Sequence, residues 1–400
     1  MQQLANDRWI EIDIDAVKNN LDAVKSLLDD QVRLIAVLKA DAYGHGAAEI
    51  GRQLFQNGVE FFAVTFLEEA LNLRQAGIRA SIMLFSPIIS EDQLEEAITN
   101  HITLTVSSIY DGQLVDKVTR RINSNATIHI KVDTGLGRFG ANKEETMEIC
   151  NILRENSYIY IEGIYTHMAE GAADKASYTE MQFARFMETV KDLEQAGINI
   201  PVKHCANSAV FLKYPHMHLN AVRIGTLLSG QHPVGQFTHH LPLVDPFKFK
   251  SRIISLRTLE AGSYLGYYRT YRLKQKAQVA VIPVGYNDGL ALGVSNRPLG
   301  FVDFLKIVAK YILKYMNVAR LNLAVTIKGH TYPVRGKVFM QLALIEIPEG
   351  VDIQVGNEVE VPVKKTLAAK SLVHVYMKDG KPVKIDDRER TTYIVEEANE

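Results

Sequence analysis

The stretch Arg33-Leu-Ile-Ala-Val-Leu-Lys-Ala-Asp-Ala-Tyr-Gly-His-Gly46 has the pattern of an apolar strand that ends on a single amine. The strand is predicted over residues 33–39, and Tyr43, Gly44 and Gly46 then suit a turn that lies close to a ligand. A lysine at the C-terminal end of a buried strand is partly desolvated, which lowers its pKa and frees the amine for Schiff-base chemistry. A lysine that only reaches solvent is the commoner case, so the surrounding sequence must decide about Lys39.

The chain around this stretch alternates short apolar runs with amphipathic segments. Strands are predicted at 33–39, 61–65, 81–85, 102–106, 127–132, 159–166, 202–205 and 221–224, and helices at 67–75, 91–99, 143–154 and 178–194. Eight strand–helix units in about 200 residues predict a closed (β/α)8 barrel, an α/β fold whose chemistry lies at the C-terminal ends of its strands. Residues of chemical interest follow those ends: Lys39, Arg138, His167, Asn207, Ser208, Gly225 and Thr226.

After about residue 240 the pattern changes to strands with few helices. Strands at 248–259, 277–284, 324–328, 337–347 and 358–363 predict a mainly antiparallel β domain. We therefore expect a barrel over 15–240 and a β domain over 241–385 with a helical insertion at 300–322. An N-terminal strand within 1–14 could join either domain, and 386–400 is predicted to be a charged C-terminal tail.

Composition narrows the class of protein. The 400 residues contain 45 Lys plus Arg and 46 Asp plus Glu without a long run of one sign, so we expect neither nucleic acid nor a membrane as a partner. Two cysteines are too few for a disulfide framework or a cysteine-based metal site, and no metal is expected. With no apolar N-terminal signal, the expected compartment is the cytoplasm and the expected ligand a small molecule.

Seven motifs occur in a fixed order along the chain. They are Val37-Leu-Lys-Ala-Asp-Ala-Tyr-Gly-His-Gly46, Lys131-Val-Asp-Thr-Gly-Leu-Gly-Arg-Phe-Gly140, Tyr165-Thr-His167, His204-Cys-Ala-Asn-Ser208, Val222-Arg-Ile-Gly225, Leu265-Gly-Tyr-Tyr-Arg-Thr-Tyr271 and Ile282-Pro-Val-Gly-Tyr-Asn-Asp-Gly289. Together they closely resemble alanine racemase, a pyridoxal 5'-phosphate (PLP) enzyme of fold type III, over residues 7 to about 345. The resemblance implies a homodimer whose active sites are shared between the two subunits. It also implies that the enzyme supplies D-alanine for peptidoglycan.

The resemblance assigns two proton-transfer groups. Lys39 would hold PLP through a Schiff base and serve one face of the substrate Cα, while Tyr267 from the second subunit would serve the opposite face. A phenol is a weak base at neutral pH and needs a cationic neighbour, for which Arg138, His167 and Arg223 are the candidates.

The resemblance also implies a set of binding residues. Arg223 would face the pyridine nitrogen, and because guanidinium holds its proton the ring becomes a weaker electron sink, which favours racemisation over transamination. The remaining implied roles are phosphate binding by Tyr43, Ser208, Gly225 and Thr226; support by His167 and Asn207; binding of the substrate carboxylate by Arg138 and the backbone at Met340; carbamylation of Lys131; and a substrate-access position for Tyr286.

Three features depart from the family pattern. Tyr268 stands where a glycine usually follows the catalytic tyrosine, the 300–322 insertion replaces a short turn, and Gln341 follows Met340 in place of an acidic residue. The usual phosphate-contacting aromatic also has no counterpart before Tyr376. Two alternatives therefore stay open: a racemase for another amino acid, such as serine or lysine, and a non-catalytic PLP-binding homeostasis protein.

Overall fold

A computed structural model of the chain describes residues 6–235, 237, 240–293, 300–315, 322–368, 371–387 and 391–394. The chain divides into two compact units, one formed by residues 14–246 and the other by the first thirteen residues together with residues from 247 onward. The first is called the barrel unit below and the second the β unit.

The regular elements within the described residues are numbered in chain order. The strands are β1 (Arg8–Asp13), β2 (Arg33–Val37), β3 (Phe61–Val64), β4 (Ser81–Leu84), β5 (Ile102–Val106), β6 (Ala126–Lys131), β7 (Ile159–Tyr165), β8 (Val202–His204), β9 (Ala221–Ile224), β10 (Phe247–Arg252), β11 (Ser255–Leu259), β12 (Tyr264–Leu265), β13 (Tyr271–Arg272), β14 (Ala277–Ile282), β15 (Ala324–Ile327), β16 (His330–Arg335), β17 (Ala343–Pro348), β18 (Glu358–Glu360), β19 (His374–Lys378), β20 (Lys381–Asp387) and β21 (Thr391–Ile394). The α-helices are α1 (Ile14–Lys25), α2 (Ala47–Gln56), α3 (Leu67–Gln75), α4 (Glu91–Thr99), α5 (Ile109–Ile122), α6 (Lys143–Arg154), α7 (Ser177–Gln195), α8 (Ser208–Lys213) and α9 (Phe301–Tyr315).

The barrel unit is built on one parallel sheet of eight strands in the order β8-β7-β6-β5-β4-β3-β2-β9. Backbone bonds link its two end strands: Asn220 N–H donates to the Lys203 carbonyl over 3.1 Å, and Arg223 N–H donates to that of Ala206 over 2.9 Å. The sheet therefore curls into a nearly closed barrel, which confirms the predicted fold class.

The barrel strands form where apolar and β-branched residues run without interruption, because both faces of such a strand are buried. Strand β5, with the sequence Ile-Thr-Leu-Thr-Val, is buried along its whole length. The connecting helices begin at side-chain caps: Ser90, Ser108 and Asn142 each accept a bond from a backbone N–H in the first turn. Because of these apolar runs and helix caps, the observed boundaries of the barrel strands and of the helices predicted from the sequence differ by at most two residues from the predicted boundaries.

The β unit holds an eleven-stranded sheet in the order β11-β14-β17-β16-β15-β18-β10-β1-β19-β20-β21. All neighbouring strands are antiparallel except β1 and β19. The N-terminal strand, whose partner the sequence left open, lies inside this sheet with the buried Trp9 packed against Val373 and Val375. A mainly antiparallel domain after the barrel is thus confirmed.

Several boundaries in the β unit differ from the sequence-based expectation. The strand expected at 337–347 is present only from Ala343, because the preceding residues form a turn in which Phe339 N–H donates to the Leu342 carbonyl over 3.0 Å. The expected charged tail contributes to two sheet strands, β20 and β21, while residues 395–400 lie outside the described part. The expected insertion at 300–322 contains helix α9, and its residues 316–321 also lie outside that part. None of the described helices is long and apolar enough to cross a bilayer.

Candidate functional site

A cavity of about 260 Å³ opens at the C-terminal ends of the barrel strands. It is lined by all eight residues that the sequence assigned to cofactor binding, namely Lys39, Tyr43, His167, Asn207, Ser208, Arg223, Gly225 and Thr226. A larger cleft of about 800 Å³ in the β unit is lined by residues such as Arg8, Pro283 and Gln341 and by none of the predicted site residues. The barrel cavity is therefore the candidate active site.

Lys39 stands directly after β2, at the start of an unusual turn. The sequence suggested that glycines would make this turn, but Ala40, Asp41, Ala42 and Tyr43 all take left-handed dihedral angles, with φ between 51° and 59°. Each such non-glycine residue costs about 1–2 kcal/mol. Two bonds help to hold the turn: Ala40 N–H donates to Glu69 Oε1 over 2.6 Å, and Ala42 N–H donates to the Leu38 carbonyl over 2.8 Å. Backbone strain of this kind is typical of functional sites.

The surroundings of Lys39 favour its neutral amine. Burial lowers the pKa of Lys39, the positive charge of Arg138 lowers that pKa further, and Glu69 partly opposes both effects. A lysine with a lowered pKa carries more free amine at neutral pH and so reacts more readily with a carbonyl compound.

Arg223 on β9 is buried beneath the cavity without an acidic partner among its hydrogen bonds. Its Nη2 donates to the carbonyls of Thr166 and Cys205 over 2.8 and 3.1 Å, and its Nη1 donates to His204 Nδ1 over 2.7 Å. Burial lowers the pKa of Arg223, yet guanidinium stays protonated at physiological pH. The arrangement fixes the guanidinium plane and leaves the positive charge available to a ligand.

A chain of hydrogen bonds extends from Arg223 through the barrel interior. Because Arg223 donates to His204 Nδ1, the His204 proton lies on Nε2 and is donated to His129 Nδ1 over 2.8 Å. The His129 proton then lies on Nε2, 3.1 Å from Glu162 Oε2. Gly163 leaves room for the His129 ring, which any Cβ at that position would overlap. Burial lowers the pKa of both histidines and keeps them neutral, so the chain has one direction, from guanidinium to carboxylate.

Hydroxyl and backbone donors gather at another side of the cavity. A Cβ at Gly225 would overlap the Tyr43 hydroxyl, so only glycine permits this close approach. Burial raises the pKa of Tyr43 to about 12, which keeps the phenol protonated as a donor. Ser208 Oγ lies 3.3 Å from Gly225 N, and Asn207 Oδ1 caps α8 by accepting from Ala209 N–H over 3.0 Å. This donor set suits a compact anion such as a phosphate group.

Lys131 is the last residue of β6, and Arg138 lies in the loop between β6 and α6. Burial, together with the charges of Arg138 and Arg223, lowers the pKa of Lys131 to about 7. The Lys131 Nζ lies 3.6 Å from the Phe139 ring centroid, and the Arg138 guanidinium carbon lies 5.1 Å from it. Both cations thus lie over the Phe139 ring, and the Arg138 side chain is exposed.

His167 lies beside Arg223, with Nδ1 3.4 Å from Nη2 of the guanidinium. Burial and the surrounding cations, first Arg223 and then Lys131, lower the pKa of His167 to about 3. His167 is therefore neutral at physiological pH. The sequence offered Arg138, His167 and Arg223 as cationic neighbours for the Tyr267 phenol. With His167 neutral, only the two arginines remain as candidates.

Tyr267 belongs to the β unit, on a short turn after β12. Its ring makes an edge contact with Phe339 at 5.0 Å between centroids, and 63% of the residue is exposed. The next residue, Tyr268, has φ of 59°, the left-handed conformation that a glycine would adopt without strain. Tyr268 thus bears a backbone strain that a glycine at this position would avoid.

Tyr286 and Met340 lie together in the same unit as Tyr267. Tyr286 N–H donates to the Phe339 carbonyl and Asn287 N–H to the Met340 carbonyl, both over 3.0 Å. Both predicted residues are partly exposed. Phe339, next to Met340, thus joins Tyr267 to the segment that begins at Tyr286, and Tyr267, Tyr286, Phe339 and Met340 are called the Tyr267 surface below.

Sequence reasoning missed several residues that hold the site. Asp133 Oδ1 accepts from Gly135, Leu136 and Gly137 N–H at 2.9–3.2 Å and so shapes the loop that carries Arg138. Glu69, His129 and Glu162 were also missed. Asp before a glycine-rich turn is a readable signal for Asp133, whereas the other three act through contacts between distant segments.

Comparisons with known proteins agree with this geometry. The family model for the alanine racemase N-terminal domain matches residues 12–233, and that for the alanine racemase C-terminal domain matches residues 247–376. Alanine racemase 1 of Caldanaerobacter subterraneus subsp. tengcongensis is 32% identical over 357 residues, covering 88% of this chain and 84% of that protein. The alanine racemase of Methanococcus maripaludis is 33% identical over 356 residues, covering 88% of each protein.

A solved structure extends the likeness to three dimensions. The alanine racemase of Clostridium difficile 630 superposes with a TM-score of 0.85 at 29% identity, covering 96% of this chain and 99% of that one. The two family models together span most of the chain, across both the barrel unit and the β unit. The chain therefore belongs to the alanine racemase family.

Proposed function

We propose that this protein interconverts L-alanine and D-alanine with PLP as cofactor. The observation that carries the proposal is Arg223, a buried guanidinium held by carbonyls and imidazoles in the cavity that Lys39 also lines. A permanent cation at the cofactor ring, in place of a carboxylate, favours reversible proton exchange at Cα over full electron withdrawal.

The donor set of the cavity fits PLP. The Tyr43 and Ser208 hydroxyls and the backbone N–H groups of Gly225 and Thr226 would bind the phosphate, with Asn207 supporting that end through its Nδ2. Lys39 Nζ would bind the aldehyde carbon. His167 would lie along the ring. PLP, when bound, would draw electron density from the substrate Cα and so make the Cα proton removable.

Lys39 and Tyr267 would then move the proton. Lys39 Nζ takes or gives the Cα proton on one face, and Tyr267 Oη does so on the opposite face, so that a proton lost from one side is regained on the other. The lowered pKa of Lys39 favours the free amine that this role requires. In the dimer, Arg138 and Arg223 of the other subunit would supply the positive charge near the Tyr267 hydroxyl.

Substrate orientation would come from Arg138. Its exposed guanidinium and the backbone at Met340 would bind the substrate carboxylate, with Tyr286 on the access side. Lys131 would carry a carbamate: the free amine bonds to the carbon of CO₂ and releases one proton. A pKa of about 7 makes the free amine abundant at neutral pH, and the resulting anion would fix Arg138.

The shared site requires a homodimer in which Tyr267 serves the barrel of the second subunit. The large exposed fraction of Tyr267 supports this part of the proposal, since a catalytic phenol needs a ligand or protein surface around it. We further propose that the enzyme works in the cytoplasm, where it supplies D-alanine for peptidoglycan; its two cysteines are buried free thiols, which a reducing compartment suits.

The test is proton exchange at Cα. The purified protein with PLP is incubated with L-alanine in deuterated water, and we expect D-alanine that carries deuterium at Cα. Serine and lysine in parallel incubations identify the preferred substrate, and we expect alanine to react fastest. Absence of exchange with every amino acid would contradict a racemase and favour the non-catalytic alternative.

A further inference from the structure

Helix α9 (Phe301–Tyr315) belongs neither to the eleven-stranded sheet of the β unit nor to the Tyr267 surface. Its sequence is Phe-Val-Asp-Phe-Leu-Lys-Ile-Val-Ala-Lys-Tyr-Ile-Leu-Lys-Tyr. Eleven of the thirteen residues 301–313 are exposed, and only Asp303 and Ile307 are partly covered. The exposed residues include Phe301 at 74%, Tyr311 at 69% and Ile312 at 54%. Over residues 301–313 the helix surface is therefore left almost entirely uncovered by the described part of the chain.

Isolated helices of this length are marginal in water, and most helical stability comes from packing of an apolar face. A helix made mainly of large apolar residues therefore needs a cover that the described part of the chain does not provide. The arrangement of its charges indicates the chemistry of that cover.

The polar residues of α9 occupy one narrow stripe. At 3.6 residues per turn, Asp303, Lys306, Lys310 and Lys314 fall within an arc of about 80°. Every other position around the helix, an arc of about 240°, is apolar or aromatic, and its centre at Phe301, Val308 and Ile312 lies opposite the lysines. Three lysines and one aspartate give the helix a net charge of +2.

This pattern excludes two kinds of cover. A two-helix seam buries a stripe much narrower than 240° and would leave the flanking Val302, Phe304 and Tyr311 in water. Crossing a bilayer takes a helix of about 20 mainly apolar residues, and α9 is only 15 residues long. A bilayer surface can cover this helix without either difficulty. A helix that lies in the plane of the bilayer does not have to span it, and it buries a wide apolar face while its lysines extend to the head groups.

We propose that α9 is an interfacial helix that binds the protein to a lipid bilayer with anionic head groups. The apolar arc enters the boundary between head groups and acyl chains, and the lysine stripe faces the phosphate-rich layer, with which its positive charge is complementary. Tyr311 and Phe304 lie about 40° and 60° inside one edge of the apolar arc, and aromatic rings of this kind favour a membrane interface. The near-neutral charge of the whole chain conceals this basic helix, which is why the sequence as a whole indicated no membrane partner.

The experiment is vesicle flotation of the full-length protein with PLP bound. Vesicles of phosphatidylcholine alone are compared with vesicles that contain phosphatidylglycerol as well. We expect the protein to float with the anionic vesicles and at least about fivefold less with the neutral ones, since each lysine near an anionic surface contributes about a fivefold gain in binding. Raising the salt concentration should release it.

Two variants separate the contributions of the two faces. Phe301→Ser, Val308→Ser and Ile312→Ser together should abolish flotation on either vesicle, and Lys306→Glu with Lys310→Glu should remove the preference for anionic lipid. The matched control carries Ile89→Ser, Tyr160→Ser and Val355→Ser, three other exposed apolar residues, and should float like the parent. Racemase activity in the absence of lipid should be unchanged in all three proteins, which also shows that they are folded.

The oligomeric state distinguishes a membrane from a second copy of the chain. Sedimentation equilibrium of the parent and the triple α9 variant should give the same mass. A parent that does not float with anionic vesicles would overturn the proposal. A triple variant that loses mass while the parent stays unbound to vesicles would assign α9 to a subunit interface instead.

Discussion

The barrel cavity and the Tyr267 surface are built in opposite ways. In the barrel, Lys39 follows a strained left-handed turn and Arg223 is buried in a chain of directed hydrogen bonds. In the β unit, Tyr267 touches Phe339 at its edge and is otherwise largely exposed. The barrel thus fixes its reactive groups by itself, whereas the β unit presents a phenol whose chemical environment must come from another surface.

This difference suggests a division of labour between cofactor binding and proton transfer. Binding and orientation depend on a rigid scaffold, which the barrel supplies through strand ends and buried cations. The proposed second proton-transfer group, Tyr267, would depend on the assembly of two surfaces. Changes in the barrel should therefore affect cofactor and activity together, while changes on the Tyr267 surface should affect activity alone.

The largest effect is expected from Lys39→Ala. Loss of the amine removes both the covalent attachment of PLP and one proton-transfer group, so turnover should fall by about 10³-fold or more. The visible absorbance of lysine-bound PLP should disappear as well. Lys117→Ala, which removes a lysine paired with Glu91 on the barrel surface, is the control and should keep both properties. Retained absorbance in Lys39→Ala would move the attachment to another lysine.

Tyr267→Phe tests the other half of the comparison. PLP absorbance should be kept, while turnover in at least one direction falls by about 10²–10⁴-fold, the usual contribution of a general acid or base. Tyr268→Phe is the matched control, since it removes a neighbouring exposed hydroxyl from the same turn. If Tyr268→Phe loses activity and Tyr267→Phe does not, the catalytic phenol has been assigned to the wrong residue.

A moderate effect is expected from removal of CO₂. The lowered pKa of Lys131 leaves the free amine present above about pH 7 and protonated below it, so carbamate formation should weaken as the pH falls through 7. In CO₂-free buffer kcat/KM should drop several-fold, more at pH 8, where the carbamate forms readily, than at pH 6, and bicarbonate should restore it. Lys131→Ala should show no response. Equal responses in parent and variant would exclude a carbamate at Lys131.

The smallest effect is expected at the far end of the hydrogen-bond chain. Glu162→Gln removes the negative charge at the end of the chain and leaves a weaker, neutral acceptor for His129 Nε2–H, while Arg223 still sets the direction of the hydrogen bonds. We expect a few-fold loss of kcat with little change in KM and a shift in the absorbance of bound PLP. Glu194→Gln, at a surface pair with Lys203, is the control. An unchanged spectrum would show that Glu162 has no influence on Arg223.

The comparison also shows which features could be predicted from the sequence. Barrel strands were predicted within one or two residues, because burial of both strand faces makes an uninterrupted apolar run that the sequence displays directly. The helices α3, α4 and α6 were predicted with the same first and last residues as observed. Each shows in its sequence one apolar face and a recognisable N-terminal start. The cavity residues followed from strand ends and from family resemblance.

Other features depend on information that the pattern of apolar and polar residues does not contain. The turn at Ala40–Tyr43 was expected to use glycines, since nothing in an alanine, aspartate or tyrosine indicates a positive φ. His129 and Glu162 lie on neighbouring strands, just before two of the motifs but outside them, and only the barrel register joins them to His204. The strand expected from residue 337 begins at Ala343 because a local turn competes with the apolar run.

The central claim is that Lys39 of one subunit and Tyr267 of the other act on the same substrate. Mixing the inactive variants Lys39→Ala and Tyr267→Phe, with exchange of subunits, tests it most directly. In a symmetric dimer half of the molecules are then mixed and each contains one intact site, so about a quarter of the parent activity should return. No recovery of activity after subunit exchange, measured in the direction that Tyr267→Phe abolishes, would contradict the account.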